Sequence, residues 1–244
     1  MKSSRTKSSF LGIGVVWGVM TFLAGQAAAS AITYTGSSGN LSASVTFSLT
    51  GNTLHVTLTN TSPSDVKVPQ DVLTAVFFNT THLLTPVSAS LNGSTVFYGS
   101  LTSVGDGWGY YSNLGGGGHG KNDGITAVGL GIGDGHSNFS GTHHSLGGLD
   151  YGLLSAGDDS ATGNTGVKGK GPLIKDSIEF TLTAPHGFKL RELGNTVVFQ
   201  YGSTLSDSHF RGNLEPATVP EPGTLLIVGS GMLCIAGVLR RKVF

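Results

Sequence analysis

The residue types best able to bind or transform a ligand gather between positions 103 and 171. His119, His136, His143 and His144 fall there, among Asp106, Asp123, Asp134, Asp150, Asp158 and Asp159. Zinc takes three or four N, S or O ligands, and histidine is a common donor. Calcium takes six to eight oxygens from carboxylates and carbonyls. The spacings match no defined site of either kind, and the glycines at 115–120 and 131–135 only faintly echo a calcium-binding Gly-Asp repeat. Solvated loop residues and no cofactor are expected, with calcium or zinc as the alternatives. Trp108, Tyr110 and Tyr111 open the same stretch. Such rings either pack in a core or its rim, or form a platform on which sugar rings stack.

No reaction signature joins these residues. Gly-x-Ser-x-Gly, His-Glu-x-x-His and a Walker loop are all missing from the sequence. Gly115, Gly117 and Gly120 satisfy Gly-x-Gly-x-x-Gly only because the run is nearly all glycine, without the strand-turn-helix context of a dinucleotide site. Glu179 and Glu192 could pair as glycosidase carboxylates. Glu179, however, stands between Ile178 and Phe180 on the polar face of a strand, and both glutamates are read as surface residues. A secreted hydrolase remains an alternative only because Ser, His and Asp are abundant.

The elements that must position these residues read as strands. Val45, Phe47 and Leu49 alternate with polar residues, Gly51-Asn52 follows, and Leu54, Val56 and Leu58 alternate again. This predicts a hairpin with a two-residue loop. Thr50 then faces Thr53, and Leu49–Leu54, Phe47–Val56 and Val45–Leu58 share one face. His55 falls opposite Ser48 as an ordinary polar-face residue. Positions 60–70, with Pro63 and Pro69, read as a linker, and the apolar run 72–78 as a buried strand. Val87, Ala89 and Leu91, then Asn92-Gly93, then Val96 and Tyr98 suggest a second hairpin. Ile178, Phe180 and Leu182 predict a half-buried strand, as do Val197, Phe199 and Tyr201, with a turn at Pro185-His186-Gly187 between them. Roughly a third of residues 103–171 are glycine without a three-residue period, which argues against collagen. Short strands near 125–132 and 151–154 are expected there, joined by glycine-rich turns. The fold class expected is all-β, an antiparallel β-sandwich-like domain with long Gly-rich loops.

Both ends of the chain read as addresses. Lys2, Arg5 and Lys7 precede an apolar core, and Ala27-Ala28-Ala29 fits small-x-small cleavage before Ser30, so 1–29 is expected to be a signal peptide. At the other end, Val219-Pro220-Glu221-Pro222-Gly223 is held extended by its prolines. An apolar helix candidate at 224–239 follows, at the short edge for crossing a bilayer, and Arg240, Arg241 and Lys242 after it should stay cytoplasmic. Residues 30–218 remain as one ectodomain. Of 14 basic and 14 acidic residues, three basic ones lie in each address and one acid in the tail, so the ectodomain is mildly acidic, with no basic patch for nucleic acid. The single cysteine, Cys234, lies in the apolar run, so disulfides cannot hold the domain.

The order Pro-Glu-Pro, short apolar helix and terminal basic cluster over 219–244 resembles the PEP-CTERM sorting signal of Gram-negative bacteria. The stretches 87–91, 151–158 and 199–202 more loosely resemble surface proteins that carry this tail. The resemblance implies recognition and cleavage by exosortase, and a setting of exopolysaccharide and biofilm. The expectation is a non-enzymatic exported surface or matrix protein. It would pass through the secretion machinery and signal peptidase, and be held transiently in the inner membrane by its tail. A carbohydrate-binding module for exopolysaccharide is the alternative.

Overall fold

The computed structural model describes residues 30–99, 101–131, 135–140, 145–169 and 171–216. The expected signal peptide, including Ala27 and Ala29, lies outside them, as do the motif 219–223, the helix 224–239 and the basic end. Among the described residues no helix is long and apolar enough to cross a membrane.

The strands are β1 (Ser30–Ser38), β2 (Leu41–Thr50), β3 (Thr53–Asn60), β4 (Leu73–Phe78), β5 (Thr85–Ser90), β6 (Thr95–Phe97), β7 (Gly109–Tyr111), β8 (Asp123–Thr126), β9 (His136–Asn138), β10 (Leu153–Leu154), β11 (Leu173–Lys175), β12 (Ser177–Thr183), β13 (Thr196–Tyr201) and β14 (His209–Leu214). The β2–β3 hairpin has the register dictated by its alternation: Thr50 faces Thr53, Phe47 faces Val56 and His55 faces Ser48. Gly51 alone takes positive φ, 60°, as the first central residue of a type II′ turn requires. A second Gly-Asn pair, Gly39-Asn40, joins β1 to β2 in the same way, with Ile32 opposite Phe47 and Tyr34 opposite Val45.

All strands belong to one sheet, in the order β5-β12-β3-β2-β1-β14-β13-β4-β10-β11-β6, with β7, β8 and β9 extending from β4. Every pair is antiparallel except β10–β11. The all-β, antiparallel expectation holds, but the described strands form one sheet rather than the two of a sandwich. β11 and β12 are consecutive, and so are β5 and β6, so one ribbon supplies both ends of the order. The sheet closes on itself, nearly as a barrel, around a core that includes Phe47, Phe78, Trp108, Phe180 and Phe199.

That closure corrects the second hairpin. Asn92 and Gly93 do turn with positive φ, and the Ser94 amide bonds Leu91 O at 2.9 Å. The flanking strands nevertheless pair with β12 and β11 rather than with each other. The turn is a corner in a ribbon whose partner bends alongside it at Asp176, φ 75°. Positions 60–70 are likewise no free linker, since Asn60, Ser62 and Val66 are buried.

The Gly-rich segment forms a second layer. Ala75, Phe77 and Val198 project from the outer face of β4 and β13, and Tyr111 and Leu130 cover them. β13 is therefore buried on both faces, not half-buried. Close approach explains part of the glycine: a Cβ at Gly124 would run into the Phe77 ring.

Candidate functional site

The polar groups that long-range folding brings together lie at the end of the barrel away from the Gly51 turn. Tyr201 donates its hydroxyl to Ser42 O at 2.8 Å, and Asn60 Nδ2 donates to Leu153 O at 2.9 Å. Ser155 Oγ donates to Ser64 O at 2.7 Å. These ties hold the loops after β3 and β10 around a cleft of about 290 Å³, lined by Asn40, Ser62, Ser64, Asp65, Lys67 and Asp71 among others.

Asp65 and Asp158 stand carboxyl to carboxyl there. Asp65 accepts from the Asp159 amide at 3.0 Å and from the Thr162 hydroxyl at 2.6 Å. The Thr162 and Asp159 bonds hold its carboxyl below the usual range. Asp158 is 7% exposed and accepts from the Val66 amide at 3.1 Å. Burial, helped by the charge of Asp65, pushes its pKa up to about 6. A protonated Asp158 can donate to the Asp65 carboxylate, so the pair clasps two loops together. Both Asp65 oxygens already accept from neighbouring donors, which suits a clasp better than a base awaiting a substrate.

The sequence candidates are placed as follows. Trp108, Tyr110 and Tyr111 are buried. Trp108 Nε1 donates to Tyr151 O at 3.0 Å and its ring packs edge-on to Phe180. Tyr110 donates to Asp123 Oδ1 at 2.9 Å, and burial raises both of their pKa values. The three rings are core, with their faces used inside the domain, and no platform is formed by them. His119 stacks on His209 with ring centroids 3.8 Å apart and hydrogen-bonds Gln200 Oε1 at 2.6 Å. Burial lowers its pKa. His136 is buried beside Tyr111. His143, His144 and Asp134 lie outside the described residues. Among the described residues no three His, Cys, Asp or Glu side chains are grouped to hold a metal.

Glu179 and Glu192 each pair with a histidine: Glu179 Oε1 with His55 Nδ1 at 3.3 Å, Glu192 Oε2 with His82 Nε2 at 2.9 Å. Sequence reading missed the Asp65–Asp158 pair, for which no local signal exists, because the partners are far apart in the chain.

Ser30, the expected mature N-terminus, begins β1 and is exposed. Glu215 donates its amide to Thr33 O at 2.8 Å, so the chain leaves the domain for its C-terminal tail beside β1. The profile of the PEP-CTERM protein-sorting motif matches residues 218–242, just beyond that exit. No curated protein and no solved structure matches the chain significantly. The chain carries a PEP-CTERM sorting motif, which implies exosortase-dependent sorting of an exported protein.

Proposed function

We propose that the protein is a non-enzymatic surface or extracellular-matrix component, cut by exosortase near 219–223 and associated with exopolysaccharide or biofilm. The observation that carries this reading is the sorting motif at 218–242 directly after a closed β-domain. Before processing, the apolar run 224–239 holds the chain in the inner membrane, with Arg240, Arg241 and Lys242 on the cytoplasmic side. The acidic residues with displaced pKa values support a structural rather than catalytic cargo, since Asp65, Asp123 and Asp158 accept from groups of the domain itself.

The decisive test is the mass of the C-terminal peptide of the protein recovered from its own cells, with and without exosortase. An end within 219–223 only when exosortase is present supports the reading. A chain intact to Phe244 in both strains leaves a tethered periplasmic domain and removes the biofilm association.

A further inference from the structure

We infer that the end of the barrel from which both termini leave is a foot, which rests on the anionic phospholipid surface of the membrane while the tail is uncut. The inference rests on the reading that the tail is membrane-inserted.

Register places the foot. Ser30 lies opposite Leu49, beside the Gly51-Asn52 turn. Ala184 donates its amide to Asn52 O at 2.8 Å, and Leu214 donates to Asn195 O at 3.2 Å. The segment between β12 and β13 therefore crosses the same mouth of the barrel from which β14 exits. Phe188, Leu190 and Leu193 turn inward and seal that mouth, and Tyr34 ties the segment down by donating to Gly194 O at 2.6 Å. Lys189 and Arg191 alternate with the inward residues and are exposed. Leu83, in the neighbouring β4–β5 connection, is 67% exposed. That connection is held to the segment by the His82–Glu192 pair and by His82 against Phe188.

Charge sorts the two ends. With Asp158 buried and set aside, the far end carries Asp65, Asp71, Asp159, Asp176 and Asp207 against Lys67, Lys168 and Lys175 among the described residues. At the foot, Glu192 is occupied by His82, and Asp123 is buried under Tyr110. Among the described residues Glu215, which accepts from Thr35 Oγ1, is the exposed acid there, and it is outweighed by the exposed Lys189 and Arg191, with Lys121 half-buried and bonded to Thr196. An anionic surface thus repels the far end and attracts the foot.

The tether makes so modest an attraction count. Only residues 217–223 separate the described chain from the apolar run, a reach of at most about 25 Å. Confinement this close gives an effective concentration on the order of millimolar. At an anionic surface each basic residue then contributes about a fivefold preference. Leu83 adds an apolar contact at headgroup depth.

The test uses full chain from cells lacking exosortase, with Cys234→Ser and a donor dye at Thr81→Cys (foot) or Asn40→Cys (far end). Each is reconstituted into vesicles of 3:1 phosphatidylethanolamine–phosphatidylglycerol or of phosphatidylethanolamine–phosphatidylcholine, with an acceptor dye on a lipid. Flotation is measured first. A chain that does not float has no anchored state, and the proposal falls with that reading. For a floating chain, energy transfer should be strong from Thr81→Cys in anionic vesicles, weaker in neutral ones, and weak from Asn40→Cys in both. Lys189→Glu with Arg191→Glu should lower the docked-to-undocked ratio at least about thirtyfold, with an unchanged melting curve showing the fold intact. Equal transfer from both labels, or transfer indifferent to lipid charge and to the double substitution, overturns the foot while leaving the anchor standing.

Discussion

Asp158 is a buried acid held protonated at a pH where a free aspartate is ionised. Its native pKa of about 6 lies above its unfolded value. Between those values the native state binds more protons than the unfolded state, so this group's contribution to stability falls as pH rises from about 4 to about 6 and is level above. Asp158→Asn keeps a carbonyl for the Val66 amide and gains an amide donor toward Asp65 without the ionisation. The variant should therefore melt above wild type at pH 7.5, by a few degrees for a gain on the order of 1 kcal/mol. The gap should close as pH falls below about 5, which calorimetry across pH would show. A gap independent of pH would mean that Asp158 is already ionised in the native state. Trp108 gives a second residue-scale expectation. Because its ring is enclosed and its Nε1 is bonded to Tyr151 O, Trp108→Ala should cost about 3–5 kcal/mol in urea unfolding. A variant as stable as wild type would instead show that the ring is not enclosed as described. At this scale the sequence showed which residues carry chemistry, but not that the rings are enclosed or that Asp65 meets Asp158. Both depend on contacts between distant segments.

Strands and turns were legible wherever local alternation and turn chemistry agree. The β2–β3 hairpin came out to the residue, because a one-residue slip would scatter Val45, Phe47 and Leu49 from Leu54, Val56 and Leu58. The same signal was present and unread at Ile32, Tyr34 and Gly39-Asn40, where β1 pairs with β2. Asn92-Gly93 misled for a different reason: a turn dipeptide specifies a local bend, and the partners of its flanks are chosen by β11 and β12. The positive φ at Gly51, with open space around its Cβ position, isolates backbone strain from packing. Gly51→Val should destabilise by about 1–2 kcal/mol, read as a lower melting temperature. Gly51→Asn should cost less, since Asn tolerates a left-handed backbone. Equal losses would show that strain at this turn is not what the glycine relieves.

Closure of the sheet is a property of the whole chain and has no local sequence signal. β14 lies between β1 and β13, so the first and last strands are neighbours in space. A strand at that seam completes ladders on both sides, and without it two inner edges would open. The sorting tail differs in kind, because the described core draws only on residues between Tyr34 and Tyr201, with Phe210 packed against it. Two truncations separate these roles. A chain ending at Pro216 should unfold cooperatively at the same temperature as the full chain, because it keeps β14 and every core residue. A chain ending at Ser206 loses β14 and with it Phe210, which packs on Phe199 and Tyr201. It should lose its cooperative transition and its protection from protease. If that shorter chain melted as sharply as the longer one, closure through β14 would not be what holds the domain. The nearness of the two termini would then be incidental to its stability.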